Sequence, residues 1–264
     1  CTPGQDSVLL LPPTYGMYEV SAALNDVEAI KVPLTRDYQI DVPATLAAIQ
    51  PRTKLLFVCS PNNPTGNLIE RQSILTLLEA FPGLVVVDEA YIDFAETRSM
   101  TALLDQYPNL VVLQTFSKAW GLAALRLGMC FASEDLIRIL NKVKPPYNIS
   151  APAQQLALEA LQQTAQKDRM VAIILNQRTD LHERLLHLPM VRRVHPSDAN
   201  FLLVEFDDAR GVFNYLIDQK IIVRDRSRVT LCDDCLRITV GTADENDRLL
   251  KALKQYTTAT ATTF

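Results

Sequence analysis

The sequence predicts an α/β protein: a mostly parallel sheet sandwiched by helices, followed by a smaller carboxy-terminal α+β unit. Three observations carry that expectation. Short apolar runs such as Leu84–Val87 and Leu110–Leu113 read as strands buried on both faces. Helix-patterned segments separate them, the alternation that builds parallel sheets. Several of these runs end in polar residues, and open α/β sheets bind ligands at the carboxyl ends of their strands.

The elements follow in order. Ser7–Leu11 and Glu28–Val32 are β-type runs. Lys54–Cys59 is a compact apolar run stopped by Ser60-Pro61. Glu70–Phe81 carries Ile74, Leu77, Leu78 and Phe81 at helical spacing, and Pro82-Gly83 ends it. Strands follow at Leu84–Val87 and Leu110–Leu113. Ser133 is placed to cap a helix reaching about Val143, with Glu134 and Asp135 favourable in its first turn. Lys144-Pro145-Pro146-Tyr147 then breaks the rhythm. Beyond it lie helical patterns at Ala153–Thr164 and Lys167–His187, strands at Val191–Val194 and Phe201–Phe206, and a helix near Ala209–Gln219. Strands at Ile221–Arg224 and Leu236–Val240 and a helix over Asp244–Tyr256 complete the unit. The Thr/Ala-rich stretch Thr257–Phe264 is low-complexity and is expected to fray. The boundary falls near residue 150, giving a large domain over 1–150 and a small one over 151–264.

Composition narrows the function. The 264 residues are 48% apolar and 21% charged, enough chain for a large core and not the balance of a disordered one. The net charge of −4, with no run of like charges, argues against nucleic acid or an anionic membrane as partner. No apolar run approaches the ~20 residues of a membrane span, and no basic segment leads into an apolar one at the start. Five cysteines form no regular framework, which points to a reduced, cytoplasmic setting. Cys232-Asp233-Asp234-Cys235 lacks a second pair, and His182, His187 and His195 form no ligand cluster, so no metal site is expected. Neither a G-x-G-x-x-G nor a P-loop is present.

Three strand exits carry the chemistry. Lys54–Cys59 runs into Ser60–Gly66, Leu84–Val87 into Asp88-Glu89-Ala90-Tyr91, and Leu110–Leu113 into Gln114-Thr115-Phe116-Ser117-Lys118. As parallel neighbours they would bring Asn63, Asp88, Tyr91, Ser117 and Lys118 to one crevice. A lysine partly buried there loses proton affinity and becomes an amine nucleophile. A nearby aspartate can hold a cationic ring nitrogen. A serine with an arginine, here Ser117 and Arg126, suits a phosphate. Those functions together fit pyridoxal phosphate. Arg237 lies inside a strand, where an inward charge is costly unless it meets a partner. Arg224 has Arg226 and Arg228 as neighbours, which read equally well as surface charges. Trp120 reads as packing.

Ser60–Gly66 resembles the S-P-N-N-P-T-G turn of the fold-type I, class-II pyridoxal-phosphate-dependent aminotransferases. Asp88–Tyr91, Ser117-Lys118-Ala119 and Leu125-Arg126-Leu127-Gly128 match that family in order and spacing. Pro12–Tyr18 and Cys235–Gly241 narrow the resemblance to its histidinol-phosphate aminotransferase branch, over Cys1 to Tyr256. The resemblance implies that Lys118 bonds the cofactor and shuttles a proton, and that Asp88 pairs with the pyridine nitrogen. Tyr91 and Asn63 would bond the cofactor 3′-oxygen and Tyr15 would stack on its ring. Ser117, Arg126 and Thr115 would take its phosphate. Arg237, assisted by Arg224, would bind the anion of either substrate, the phosphate of histidinol phosphate or the carboxylate of 2-oxoglutarate or glutamate. A homodimer is implied too. The family carries a segment ahead of the residue matching Cys1, including a first strand whose absence would leave a sheet edge unpaired. Two other readings share the motifs: a related aromatic aminotransferase or threonine-phosphate decarboxylase, and a cofactor-binding fragment without turnover.

Overall fold

The computed structural model describes residues 1–261. Five parallel strands, β1 (Ser7–Leu10), β2 (Glu28–Lys31), β3 (Thr53–Cys59), β4 (Leu84–Asp88) and β5 (Leu110–Thr115), and an antiparallel one, β6 (Gly128–Phe131), form a sheet in the order β2-β1-β3-β4-β5-β6. β3, β4 and β5 are adjacent, so the three reactive strand exits lie side by side as expected. The apolar runs sit at the centre because they are covered on both faces. Leu56, Val85, Val87, Leu110 and Val112 are at most 1% exposed, and each such side chain contributes about 1.5–3 kcal/mol on burial.

Helices α1 (Met17–Leu24), α2 (Val42–Ala47), α3 (Arg71–Ala80) and α4 (Glu134–Val143) accompany this sheet. α3 buries Ile74, Leu77 and Leu78, the residues its spacing marked out. α4 follows Ser133 as expected, but the serine hydroxyl makes no capping bond, and none of the helix's residues is buried. α1, α2 and β6 escaped the sequence reading: each is short, and β6 is a four-residue edge strand opened by a glycine. Periodicity needs a longer window than these provide.

The second half holds α5 (Ala151–Leu161), α6 (Thr164–Leu186), β7 (Val191–Val194), β8 (Phe201–Phe206), α7 (Ala209–Asp218), β9 (Arg224–Asp225), β10 (Cys235–Thr239) and α8 (Ala243–Ala261). Its strands form an antiparallel sheet in the order β7-β8-β10-β9. Two expectations need correction. The strand expected over Ile221–Arg224 begins only at Arg224, because the chain leaves α7 through Lys220 in the left-handed region and Ile221 and Val223 pack into the core first. The closing helix does not stop at Tyr256 but continues through Ala261, adding turns to an already nucleated helix. Residues 262–264 lie outside the described residues. Among the described residues, no helix is long and apolar enough to cross a membrane.

The core beneath the first sheet takes in Leu203, Cys232 and Cys235 from the second half. The C-x-x-C pair is therefore packing material. Glu89 braces the exit of β4. It is 2% exposed, and its carboxylate accepts from Ser99 Oγ at 2.5 Å, the Met100 amide at 2.7 Å and Gln114 Nε2 at 2.9 Å. Glu89→Ala leaves these buried donors unmet, so urea denaturation should show a loss of roughly 2–4 kcal/mol.

His195 supplies a pH test. Its ring is buried, its Nε2 meets no partner among the described residues, and burial pushes its pKa down to about 4. In the unfolded chain it protonates near ~6.5. Between those values the unfolded state binds the extra proton, so stability must fall on acidification from about pH 6.5 to 4. The urea midpoint should drop across that window, less steeply in His195→Phe.

Candidate active site

The carboxyl ends of β3, β4 and β5 open into a cavity of about 960 Å³. All ten side chains singled out from the sequence line it: Tyr15, Asn63, Asp88, Tyr91, Thr115, Ser117, Lys118, Arg126, Arg224 and Arg237. Sheet topology does most of this work. Asp88 ends β4 with Cys59 of β3 as its register partner on one side and Leu113 of β5 on the other. The polar exits beyond them have to meet.

Asp88 is held from two sides. Tyr18 Oη donates to its Oδ2 at 2.5 Å and the Ala90 amide to its Oδ1 at 3.0 Å. Burial raises its pKa, opposed by those donors and by the positive charge of Lys118. Lys118 is half-buried, with Nζ 5.2 Å from the centroid of the Tyr91 ring. Burial first, then the charge of Arg237, lowers its pKa below the ordinary lysine value, and both effects favour the free amine. Tyr91 is 6% exposed, packs edge-on against Phe201 at 5.1 Å, and is pushed up to about 12 by burial.

Asn63 stands on a loop fixed by its neighbours. Asn62 Nδ2 donates to Pro13 O and Thr65 Oγ1, both at 2.8 Å, and Gly66, at φ +87°, lets the loop pass Ser197. A Cβ at Gly66 would lie 2.5 Å from Ser197 Oγ, which excludes larger residues. Asn63 Oδ1 accepts from Arg237 Nη1 at 2.6 Å, leaving its amide N–H groups to donate elsewhere. Thr115 lines the cavity, but its hydroxyl accepts from the Ser117 amide at 3.0 Å and donates to Leu127 O at 3.4 Å. It shapes the turn that presents Ser117. Arg126 is exposed at the rim, its backbone in the left-handed region at φ +53° and its Nη1 on Ala123 O at 2.9 Å. Such a conformation in a non-glycine residue must be held by its surroundings.

Arg224 and Arg237 are direct partners across β9 and β10. The Arg226 amide bonds Cys235 O, so Arg226 lies two positions along the ladder on the face that carries Arg224 and Arg237. Like charges placed opposite each other destabilise a sheet. Among the described residues none of these guanidiniums is in a salt bridge, and the buried Nε of Arg237 has no hydrogen-bond partner. Burial lowers the pKa of both Arg226 and Arg237, with the neighbouring arginines adding to it.

Two contributors escaped the sequence reading. Arg226 looked like a surface charge, although its spacing from Arg224 is that of alternate residues on one strand face. Tyr18 follows Tyr15 by three residues, which at a helix start brings both rings to one side; their centroids are 5.4 Å apart. Tyr15 itself is 42% exposed.

A family model for aminotransferases of class I and II matches residues 1–253. The chain belongs to this family. Members work with pyridoxal phosphate, and the site fits that cofactor: an amine whose proton affinity is lowered, a buried carboxylate, and arginines that among the described residues form no salt bridge. Among named relatives, the histidinol-phosphate aminotransferase of Cytophaga hutchinsonii is 59% identical over 256 residues, covering 97% of this chain and 74% of that protein. That of Bacteroides fragilis is 50% identical over the same shares. Among solved structures, the histidinol-phosphate aminotransferase from Clostridium acetobutylicum matches with a TM-score of 0.89 at 22% identity, over 95% of this chain and 78% of that one. The fold is thus that of the fold-type I transferases. The L-threonine-O-3-phosphate decarboxylase from Porphyromonas gingivalis matches at 0.81 and 26%, over 95% and 77%.

Pyridoxal phosphate added to the protein should produce a visible band, because burial and the charge of Arg237 lower the pKa of Lys118 and favour its free amine. Lys118→Ala should bind the cofactor more weakly and show no such band.

Proposed function

We propose that this chain transfers the amino group of L-histidinol phosphate to 2-oxoglutarate, giving imidazole acetol phosphate and glutamate, a step of histidine biosynthesis. The observation that carries the reading is the facing pair Arg224 and Arg237 in the cavity, with Arg226 beside them and, among the described residues, no salt bridge to any of the three. A phosphate dianion or a carboxylate relieves that repulsion, and a guanidinium fork fits both. The similarity to relatives named for this reaction supports it.

When bound, the cofactor supplies an aldehyde for the amine and a ring that accepts electrons from the substrate carbon. The chain's own groups do the rest. Lys118 Nζ would hold the cofactor aldehyde and, once released, serve as the base that moves the substrate's proton. Asp88 would face the pyridine nitrogen and keep it protonated. Tyr91 and the N–H groups of Asn63 would hydrogen-bond the ring oxygen, and Tyr15 would pack against the ring. Ser117 and Arg126, on the turn shaped by Thr115, would take the cofactor phosphate. Arg237 anchors the substrate anion with Arg224 and Arg226.

The same reading divides the chain near residue 150 into a cofactor domain and a smaller one. It makes the protein a cytoplasmic homodimer. The exposed apolar side chains of α1 and α4, among them Met17, Leu24, Ile139 and Val143, support a covered face.

Steady-state assays with each amine donor test the function. Turnover should require the phosphate-bearing amine. Turnover confined to aromatic amino acids, or carbon dioxide release from phosphothreonine, would overturn the reading. Arg237→Gln should lower kcat/KM about 100-fold with either substrate, the loss of charged hydrogen bonds worth roughly 3 kcal/mol. Arg226→Gln should cost about tenfold, and only with the phosphate-bearing substrate.

A further inference from the structure

We propose that Tyr18 is a positioning residue for the reaction: its hydroxyl, 2.5 Å from Asp88 Oδ2, keeps that carboxylate anionic and oriented, and so keeps the cofactor's ring nitrogen protonated. The inference rests on the reading that Asp88 meets that nitrogen. Tyr18 is fixed well enough to act this way. It lies in the first turn of α1, 8% exposed, with its ring stacked on Phe57 of β3 at 4.8 Å and 19° and edge-on to Tyr15. One side chain therefore touches both the carboxylate and the aromatic that covers the cofactor.

The chemistry is a contest for one proton. A buried carboxylate with few donors gains proton affinity and takes the proton off a base beside it. Asp88 has only the Ala90 amide on one oxygen and the Tyr18 hydroxyl on the other. The titratable groups facing it are Cys59 on β3, Tyr91 beyond β4 and Lys118 beyond β5. Burial keeps Cys59, Tyr91 and Tyr18 itself protonated, and Lys118 is committed to the cofactor. That leaves Tyr18 as the side-chain donor to the carboxylate. Without its hydroxyl, the proton shared between ring nitrogen and Asp88 moves to Asp88, no other bond changes, and the neutral ring accepts electrons less well.

The test uses the holoenzyme reconstituted with pyridoxal phosphate carrying nitrogen-15 in the ring, read by NMR. Tyr18→Phe keeps the stacking surface and deletes one oxygen. Its nitrogen signal should move toward the neutral-pyridine position, with kcat down about tenfold, one pKa unit of lost bias, and KM changed less than threefold. Phe57→Leu removes the stacking partner and keeps the hydroxyl; its signal should stay at the wild-type position. A wild-type signal in Tyr18→Phe overturns the proposal, as does an equal displacement in Phe57→Leu or a Tyr18→Phe protein that does not fold. Asp88→Asn separates the two readings. A ring nitrogen still protonated there overturns the Asp88 assignment itself, whereas loss of the proton in Asp88→Asn but not in Tyr18→Phe overturns only the role of Tyr18.

Discussion

Asp88, Lys118, Arg224, Arg226 and Arg237 share one cavity, and among the described residues none of them forms an ion pair. The rest of the structure depends on holding charges apart that water or each other would otherwise claim. Sheet topology and register, rather than charged partners, place them. Asp88 ends a strand clamped between two others, Lys118 follows the next strand, and Arg224 and Arg237 are locked by ladder register. Burial turns this separation into chemistry. It lowers the proton affinity of the lysine and raises that of the aspartate. The folding energy for holding unmatched charges comes from the apolar strands beneath them, most of whose side chains are almost wholly buried.

A second layer of hydrogen bonds keeps the charged groups in place. Tyr18 and the Ala90 amide fix the Asp88 carboxylate. Glu89, the adjacent residue, points to the other side of the strand and ties its exit to Ser99, Met100 and Gln114. Alternation along an extended chain thus assigns one acidic side chain to the cavity and the next to the scaffold. Asp88 and Glu89 look interchangeable in sequence, yet only Asp88 faces the cavity.

The central strands and the convergence of their exits were legible in the sequence because both follow from uninterrupted apolar runs ending in polar residues. The residues that line the cavity were legible because each stood at such an exit or in a motif of fixed spacing. What could not be read was local or geometric. α1, α2 and β6 are too short to show a period. The start of β9 is set by how the chain leaves α7, and the extent of α8 by continuation of a formed helix. The partnership of Tyr18 with Asp88 spans seventy residues of chain and exists only once the sheet is assembled. Arg226 was visible as a charge, but its direction depended on the register of β9 against β10.

Arg237 reaches from the second sheet to Asn63, on a loop of the first, with a 2.6 Å bond. The group proposed to grip the incoming substrate also sets which way that amide faces. Replacing Arg237 would therefore release Asn63 to flip, unsettling the cofactor contacts proposed for it with a change aimed only at the substrate. Engineering a new amine donor into this scaffold calls for altering the two positions as a unit, with the replacement at 237 chosen as much for the acceptor it must occupy at Asn63 as for the ligand it must recognise.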